Sequence, residues 1–332
     1  MAVERGAFTY AEITSQPELW EKAVDAFWQQ AEALKTLWHK GGYERVLFTG
    51  CGSTHYLSLA GAALFQQLTG ISSRAYPASE IALYPDYVFL PNVKTLLITV
   101  SRSGETTETV EAMRVFREQT GSPVIAVTCA SKSTLSLQAD VNFSIDDAQE
   151  TSLAQTRSFA SMLVVVEAIA AFIAGRGDLN TLTALTPTVT HLLNDYHDLA
   201  RQLGEDRQIE RFFFLGSGAL FGIANEGMLK MKEMSLSYSE AFHVLEFRHG
   251  PMSMVNEHSL VIGLISEEVH PQEISVLRQM NQRGAQILAL AENEHDLGIV
   301  SGAHVVKIAS GLPAWARPVT YLPVLQLMAY YR

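Results

Sequence analysis

Short, continuous apolar runs alternate with longer amphipathic stretches along most of the chain. The run in 45–52 (RVLFTGCG) closes on a Gly-x-Gly turn before a helix-forming stretch, and the run in 211–218 (RFFFLGSG) does the same. The run in 95–100 (TLLITV) corresponds in the same way to that in 259–264 (SLVIGL), and a polar turn and an amphipathic helix follow each. This periodicity predicts two copies of one strand, turn and helix arrangement.

Strands that do not alternate polar and apolar residues are buried on both faces, as in a parallel sheet between two layers of helices. We therefore predict an α/β protein with two domains, 41–185 and 186–332. Residues 1–40 are predicted to form an N-terminal helical arm that packs against a partner or a domain surface. Residues 181–203, rich in Leu and Thr, are predicted to form the helical connection between the copies.

Composition and charge exclude several classes of function. Of the 332 residues 48% are hydrophobic, and the two cysteines, Cys51 and Cys129, are too few for a disulfide scaffold or a cysteine-built metal site. Lys and Arg total 24 against 35 Asp and Glu, a net charge of -11. We therefore expect no general attraction to nucleic acid or to an anionic membrane. The sequence shows no signal peptide and no apolar run of roughly 20 residues, so we expect a cytoplasmic protein.

The turn at 101–106 (SRSGET) is the most informative polar segment. Ligands of parallel sheets bind beyond the carboxyl ends of the strands, where helix N-termini offer unpaired N–H groups and a positive dipole end. Hydroxyl groups add hydrogen-bond donors without adding charge. The turn therefore predicts a phosphate site even in an acidic protein. Its candidate phosphate-binding residues are Ser101, Arg102, Ser103, Gly104 and Thr106.

A simpler interpretation of this turn is that Ser103 and Thr106 only cap the following helix, as Ser and Thr often do. Capping requires one hydroxyl, whereas the turn supplies several. The matching segment of the second copy, 265–271 (ISEEVHP), carries two acidic residues that would repel an anion. We therefore expect phosphate only at the first copy. The turn at 50–54 (GCGST) is weaker evidence, because Rossmann-like folds of many functions contain a Gly-x-Gly turn.

Five segments occur in the order found in sugar isomerase (SIS) domain proteins. From about Glu12 onward the chain resembles the isomerase half of glucosamine-6-phosphate synthase and its relatives that lack the glutaminase half. Those relatives include amino sugar phosphate deaminases and isomerases and fructosamine deglycases. The combination is far more specific than any single motif. The segments are 50–54 (GCGST), 101–106 (SRSGET), 153–157 (LAQTR), 226–233 (EGMLKMKE) and 246–251 (EFRHGP).

The resemblance implies two tandem SIS domains of flavodoxin-like topology and a homodimer with active sites at the subunit interface. It implies that the 101–106 turn surrounds the phosphate of a hexose 6-phosphate. Glu233 matches the residue that moves a proton between C1 and C2, Lys230 matches a lysine beside it, and His249 matches a histidine that assists ring opening from the neighbouring subunit. The residues implied to line the rest of the sugar site are Gly52, Ser53, Thr54, Leu153, Ala154 and Gln155.

The chemistry of aldose–ketose interconversion agrees with these residue types. One carboxylate base and one imidazole acid/base suffice to carry a proton and open the ring, so we expect no metal and no organic cofactor. Glu226, Lys230 and Glu233 are spaced four and three apart, which places them on one helical face. A surface helix with such charges is commonly a solvated, salt-bridged face, but this helix is rich in Met, which favours partial burial. His249 alone would more commonly be a structural or surface histidine; its Arg-His-Gly-Pro context favours catalysis.

The sequence also departs from the synthases. Ala2 follows Met1 where a glutaminase domain has its catalytic cysteine, so we expect no glutamine-dependent synthase activity. Arg102 stands where the synthases have glutamine, and the final LQLMAYYR stops before the tail in which the synthases carry a Schiff-base lysine.

The predicted function is a phosphosugar isomerase or deaminase acting on an amino sugar 6-phosphate, of the glucosamine 6-phosphate to fructose 6-phosphate type. The alternatives are a fructosamine-6-phosphate deglycase and a sugar-phosphate sensor without turnover.

Overall fold

The computed structural model describes residues 6–176, 179–293 and 300–332. The chain forms two compact units. The N-terminal unit is Ser15–Thr183, and the C-terminal unit is Ala184–Arg332 together with the segment that ends at Thr14. The helical arm predicted over 1–40 is thus divided between the two units, and the first unit ends two residues before the predicted boundary at 185.

The N-terminal unit is a parallel sheet with helices on both faces. In the part of the chain that the structure describes, its strands are β1 (Arg45–Gly50), β2 (Ser72–Pro77), β3 (Thr95–Ser101), β4 (Val124–Thr128) and β5 (Val141–Ser144). Their order is β2-β1-β3-β4-β5 and each neighbouring pair is parallel. This is the flavodoxin-like order, which confirms the predicted fold class. The helices are α2 (Gln16–Gly41), α3 (Ser53–Thr69), α4 (Ala78–Leu83), α5 (Pro85–Val88), α6 (Thr107–Thr120), α7 (Thr134–Gln138) and α8 (Arg157–Ile173).

Successive side chains of these strands point into two different cores. Leu47 packs in a buried cluster with residues of α4 and α6 that include Phe116. Its neighbour Phe48 points the other way and lies 6.0 Å, between ring centroids, from Phe65 of α3. Because both faces are covered, every residue of β1, β3 and β4 is buried, which explains their continuous apolar runs. The apolar residues 161–173 lie in α8, and no helix within the described ranges is both long and apolar enough to cross a membrane.

The C-terminal unit repeats the same topology. Its described strands are β6 (Arg211–Leu215), β7 (Tyr238–Phe242), β8 (Ser259–Leu264), β9 (Gln286–Ala291) and β10 (His304–Lys307). They are parallel in the order β7-β6-β8-β9-β10. The predicted connection over 181–203 forms two helices and a preceding 3₁₀ turn. The helices of the unit are α1 (Ala7–Thr14), α9 (Leu185–Asp195), α10 (His197–Glu205), α11 (Ala219–Ser235), α12 (His270–Gln282) and α13 (Leu322–Tyr331).

The predicted internal repeat extends to backbone conformation at the Gly-x-Gly turns. Gly52 has φ 56° and ψ -125°, and Gly218 has φ 57° and ψ -130°. A Cβ at Gly50 would lie 2.5 Å from Thr54 Oγ1, and a Cβ at Gly216 would lie 2.3 Å from the carbonyl oxygen of Leu220. Each turn therefore needs one glycine for its positive φ and another for the close approach of the next helix.

Candidate functional site

The hydroxyls of the 101–106 turn are organised by one another. Ser101 is 1% exposed, and its Oγ accepts a hydrogen bond from the backbone N–H of Gly104 at 3.1 Å. The Ser101 Oγ also lies 3.0 Å from Thr106 Oγ1, and Ser103 Oγ accepts from the backbone N–H of Glu105 at 3.2 Å. Thr106 occupies the N-cap position of α6 without a side-chain capping bond. Simple capping therefore does not account for the Thr106 hydroxyl, which faces the turn.

The segment that begins α7 packs against the 101–106 turn and forms hydrogen bonds with it. Gly104 has φ 64°, and a Cβ there would lie 1.9 Å from Ser133 Oγ, so only glycine fits. Glu105 accepts hydrogen bonds from the Thr134 backbone N–H at 2.6 Å and the Thr134 hydroxyl at 2.8 Å. These bonds hold the pKa of the Glu105 carboxyl below its ordinary value. The one acidic side chain of the turn therefore accepts its hydrogen bonds from Thr134.

The turn at 50–54 lies at the end of β1, next to β3 in the sheet. Ser53 and Thr54 are buried, and Thr54 Oγ1 accepts from the backbone N–H of Cys51 at 2.9 Å. The Cys51 Sγ lies 3.6 Å from the Thr109 hydroxyl in the first turn of α6. This contact joins the 50–54 turn to the helix that follows the 101–106 turn.

Arg102 connects the turn at 101–106 to the loop that precedes α8. Its Nη1 donates to the carbonyl oxygens of Ser152 at 3.0 Å and Leu153 at 3.3 Å. In the loop itself, Leu153 is 94% exposed, whereas the Gln155 Oε1 is buried. The structure thus groups the candidate phosphate residues with Leu153, Ala154 and Gln155 within one unit.

Glu150 is a residue of this group that the sequence analysis missed. Its side chain is 0% exposed and its Oε2 lies 3.6 Å from Arg102 Nη1. Its Oε1 accepts from the backbone N–H of Thr156 at 2.6 Å and from the Thr156 hydroxyl at 2.7 Å. The sequence carries one signal for Glu150, which is its position three residues before Leu153. An acidic side chain so close to a predicted site needs a cationic partner in the fold.

In the C-terminal unit, α11 brings Glu226, Lys230 and Glu233 together as their spacing predicts. Lys230 Nζ lies 3.2 Å from Glu226 Oε1 and 2.6 Å from Glu233 Oε2. The side chains of Glu226 and Lys230 are 0% and 1% exposed, whereas that of Glu233 is 40% exposed. This is a buried ion pair with one accessible carboxylate at its end, and a fully solvated face is excluded.

The charge on Lys230 is maintained by its two carboxylate neighbours. Burial opposes the charged form, but the attraction of Glu226 and Glu233 outweighs it and raises the pKa of Lys230 above its ordinary value. The ammonium group therefore carries its charge directly beside the accessible Glu233 carboxylate. A carboxylate base in contact with solvent is what a proton shuttle requires.

His249 stands on a separate loop of the same unit. It follows the 3₁₀ turn Glu246–Arg248, is exposed, and donates its backbone N–H to the carbonyl oxygen of Glu246 at 2.9 Å. The next residue, Gly250, has φ 121°, a conformation that favours glycine. The loop therefore presents the His249 ring on the surface of the C-terminal unit.

The chain is similar in sequence and in fold to several known proteins. The chain matches the glutamine–fructose-6-phosphate aminotransferase [isomerizing] of Acidithiobacillus ferridurans with 25% identity, over 98% of this chain and 55% of that protein. It thus spans about half the length of the curated relatives it matches. Tagatose-6-phosphate ketose/aldose isomerase from Escherichia coli superimposes with a TM-score of 0.86 at 22% identity, covering 100% of this chain and 93% of that one.

A third relative carries a different name. Glucosamine-6-phosphate deaminase from Thermotoga maritima superimposes with a TM-score of 0.71 at 26% identity, covering 93% of each chain. A sequence model of the SIS domain matches residues 42–172 and 207–331, which is most of the chain and one match in each sheet-containing unit. The chain therefore belongs to the SIS domain family.

Proposed function

We propose that the protein converts an amino sugar 6-phosphate to a ketose 6-phosphate, with glucosamine 6-phosphate as substrate and fructose 6-phosphate and ammonia as products. The observation that carries the proposal is the accessible carboxylate of Glu233 bonded to the buried ammonium of Lys230. The hydroxyl-rich turn at 101–106 supports a phosphorylated substrate, because it offers several hydrogen-bond donors beside a helix N-terminus. The glucosamine-6-phosphate deaminase of Thermotoga maritima is a structural relative whose named activity agrees with this substrate.

The proposed chemistry uses two groups of the protein. His249 moves the proton that opens the sugar ring, and the His249 that serves each site comes from the second subunit of a homodimer. Glu233 then takes the proton from C2 and returns it to C1, which turns the 2-amino aldose into a ketose imine. Water adds to C2 of the imine and ammonia leaves, so that one water is consumed for each ammonia released.

Within the substrate site, the phosphate is held by the hydroxyls of Ser101, Ser103 and Thr106. The segments 52–54 and 153–155 contact the sugar. Lys230 orients the Glu233 carboxylate for its first proton transfer through their 2.6 Å contact.

The test is incubation of the purified protein with glucosamine 6-phosphate while ammonia and fructose 6-phosphate are both assayed. We expect equal amounts of the two products, and we expect Glu233→Gln to lower kcat by roughly 10²- to 10⁴-fold with substrate affinity retained. Glu205→Gln, which removes an exposed carboxylate paired with Arg201 in the same unit, serves as the matched control.

The alternatives give different outcomes in the same assay. A sensor would bind the sugar phosphate without forming either product. A deglycase would leave glucosamine 6-phosphate unchanged and would release glucose 6-phosphate from fructosamine 6-phosphate. Ammonia release that is equal in the wild type and in Glu233→Gln would contradict the role of Glu233.

A further inference from the structure

The buried carboxylate of Glu150 organises the start of α8. Its Oε1 takes both hydrogen bonds from Thr156, and its Oε2 accepts from the hydroxyl of Ser158. Thr156 and Ser158 are themselves 0% exposed. These bonds fix the C-terminal end of the loop that carries Leu153, Ala154 and Gln155.

Arg102 fixes the other end of that loop to the 101–106 turn. Its Nη1 bonds the carbonyls of Ser152 and Leu153 and lies 3.6 Å from Glu150 Oε2. Its own carbonyl oxygen accepts from Gln149 Nε2 at 3.2 Å and from the backbone N–H of Cys129 at 3.1 Å. The turn and the loop are therefore joined through both the side chain and the backbone of one residue.

An ion pair with a buried carboxylate is a costly way to stabilise a fold, because desolvation offsets much of the attraction between the charges. Its directional bonds do define geometry, and here they define how far the turn lies from the loop. We propose that Glu150 is a positioning residue, which acts through Arg102 to set the 101–106 turn and the 153–155 loop at the separation that a hexose 6-phosphate spans. The inference rests on the proposed function, and Glu150 itself, being wholly buried, does not touch the substrate.

If Glu150 has this positioning role, its replacement should affect the binding of two ligands differently. Inorganic phosphate contacts only the turn, whereas a hexose 6-phosphate contacts the turn with its phosphate and the loop with its sugar. Glu150→Gln preserves the shape of the side chain and one acceptor for Thr156 but removes the charge that faces Arg102. We expect it to raise the Kd for fructose 6-phosphate roughly tenfold, while the Kd for inorganic phosphate changes less than about twofold.

Asp140→Asn is the matched control. Asp140 also pairs with an arginine, Arg117 at 2.6 Å, and also accepts a backbone N–H, that of Val124 at 2.8 Å. It stands at the amino ends of the strands, away from the turn, so its loss should leave both dissociation constants unchanged. Ser158→Ala is a milder variant that removes one donor to Glu150, and it should change the ratio of the two dissociation constants in the same direction by a smaller factor.

Hydrogen exchange of the backbone amides in 151–157 tests positioning without a ligand. We expect faster exchange at Thr156 in Glu150→Gln and wild-type exchange in Asp140→Asn. If the wild type binds neither ligand, the proposed function fails, and the exchange data still decide whether Glu150 positions the loop. Equal weakening of both ligands, or unchanged exchange at Thr156, would overturn the proposal.

Discussion

Lys230 and Glu233 form a 2.6 Å ion pair in which the ammonium is buried and the carboxylate is 40% exposed. Glu226 lies on the opposite side of the same ammonium and is completely buried. The arrangement aligns one accessible carboxylate with a cation that solvent does not screen. Charge balance inside α11 and the proton transfer proposed for Glu233 therefore depend on the same lysine.

The first prediction concerns Lys230→Met, which keeps an unbranched chain and removes the charge. We expect it to lower the free energy of unfolding by about 3 kcal/mol, because Glu226 remains buried without the cation that now neutralises it. Adding Glu226→Gln should recover much of that loss. Chemical denaturation of the two single variants and the double variant measures the coupling, and Lys232→Met on the exposed face of α11 is the control. Additive effects would contradict a buried pair.

The second prediction concerns Gly104, and Gly121 provides its control. Both have positive φ, 64° and 63°, at the two ends of α6. A Cβ on Gly121 meets nothing within 4 Å, whereas one on Gly104 would overlap Ser133. Each alanine variant should cost about 1 kcal/mol of stability through its backbone conformation. Only Gly104→Ala should also weaken phosphate binding, measured by calorimetry, because the turn must shift to admit the methyl group.

The third prediction concerns the hydroxyls of the turn. Replacing Ser103 and Thr106 together with Ala should weaken binding of a hexose 6-phosphate by roughly a hundredfold or more, since each of the two lost hydrogen bonds to an anion costs about 1.5–3 kcal/mol. The double variant Thr120→Ala and Ser122→Ala removes two hydroxyls at the other end of α6 and should bind like the wild type. Unchanged affinity in the first double variant would exclude the turn as the phosphate site.

The fourth prediction concerns His249, which follows a 3₁₀ turn on an exposed loop. His249→Ala should preserve substrate binding and slow the reaction of a closed-ring sugar more than that of an open-chain analogue. A ring-opening acid/base is needed only for the first of these substrates. Stopped-flow comparison of the two rates tests this, with the nearby exposed His258→Ala as control. Equal slowing of both substrates would argue against the role.

The fold was predictable because strands that are buried on both faces consist of continuous runs of apolar residues. β1 and β3 are buried on both faces, and their uninterrupted apolar runs reveal both the parallel sheet and its repetition. The conformations of Gly52 and Gly218 repeat because the same Gly-x-Gly turn joins strand and helix in both units. The division of the N-terminal helices between two units was not visible from the sequence, because it depends on packing: α1 contacts α13, whereas α2 contacts α8.

The arrangement of the candidate site was predictable where the proximity of residues follows from their spacing along one helix. Glu226, Lys230 and Glu233 are an example, because helical geometry alone brings them together. Glu150 was not predictable in this way, since its partner Arg102 is 48 residues away and the pair forms only when β3 and the loop before α8 meet in three dimensions. Contacts of this kind depend on tertiary structure that no local pattern encodes.

In the turn of the second repeat, a buried carboxylate of the protein itself accepts the hydrogen bonds of a serine. Glu273 of α12 is 1% exposed, and its Oε2 accepts from the backbone N–H of Ser266 at 2.8 Å and from the Ser266 hydroxyl at 3.1 Å. Its Oε1 is buried without a hydrogen-bond partner among the described residues. Burial raises the pKa of Glu273 above its ordinary value, although the Ser266 bonds act in the opposite direction.

The fifth prediction follows from that pKa. The carboxyl of Glu273 ionises near pH 4.3 in the unfolded chain and at higher pH in the folded protein. Between these values the folded state binds more protons, so the contribution of Glu273 to the free energy of unfolding falls as pH rises.

Glu273→Gln removes this dependence and keeps one acceptor for Ser266. The stability of the variant relative to the wild type should therefore increase with pH above about 4.3 and level off beyond the folded pKa. Urea denaturation across this range measures the difference, with the exposed Glu268→Gln on the same turn as control. A difference that is constant or that shrinks with rising pH would contradict the shifted ionisation of Glu273.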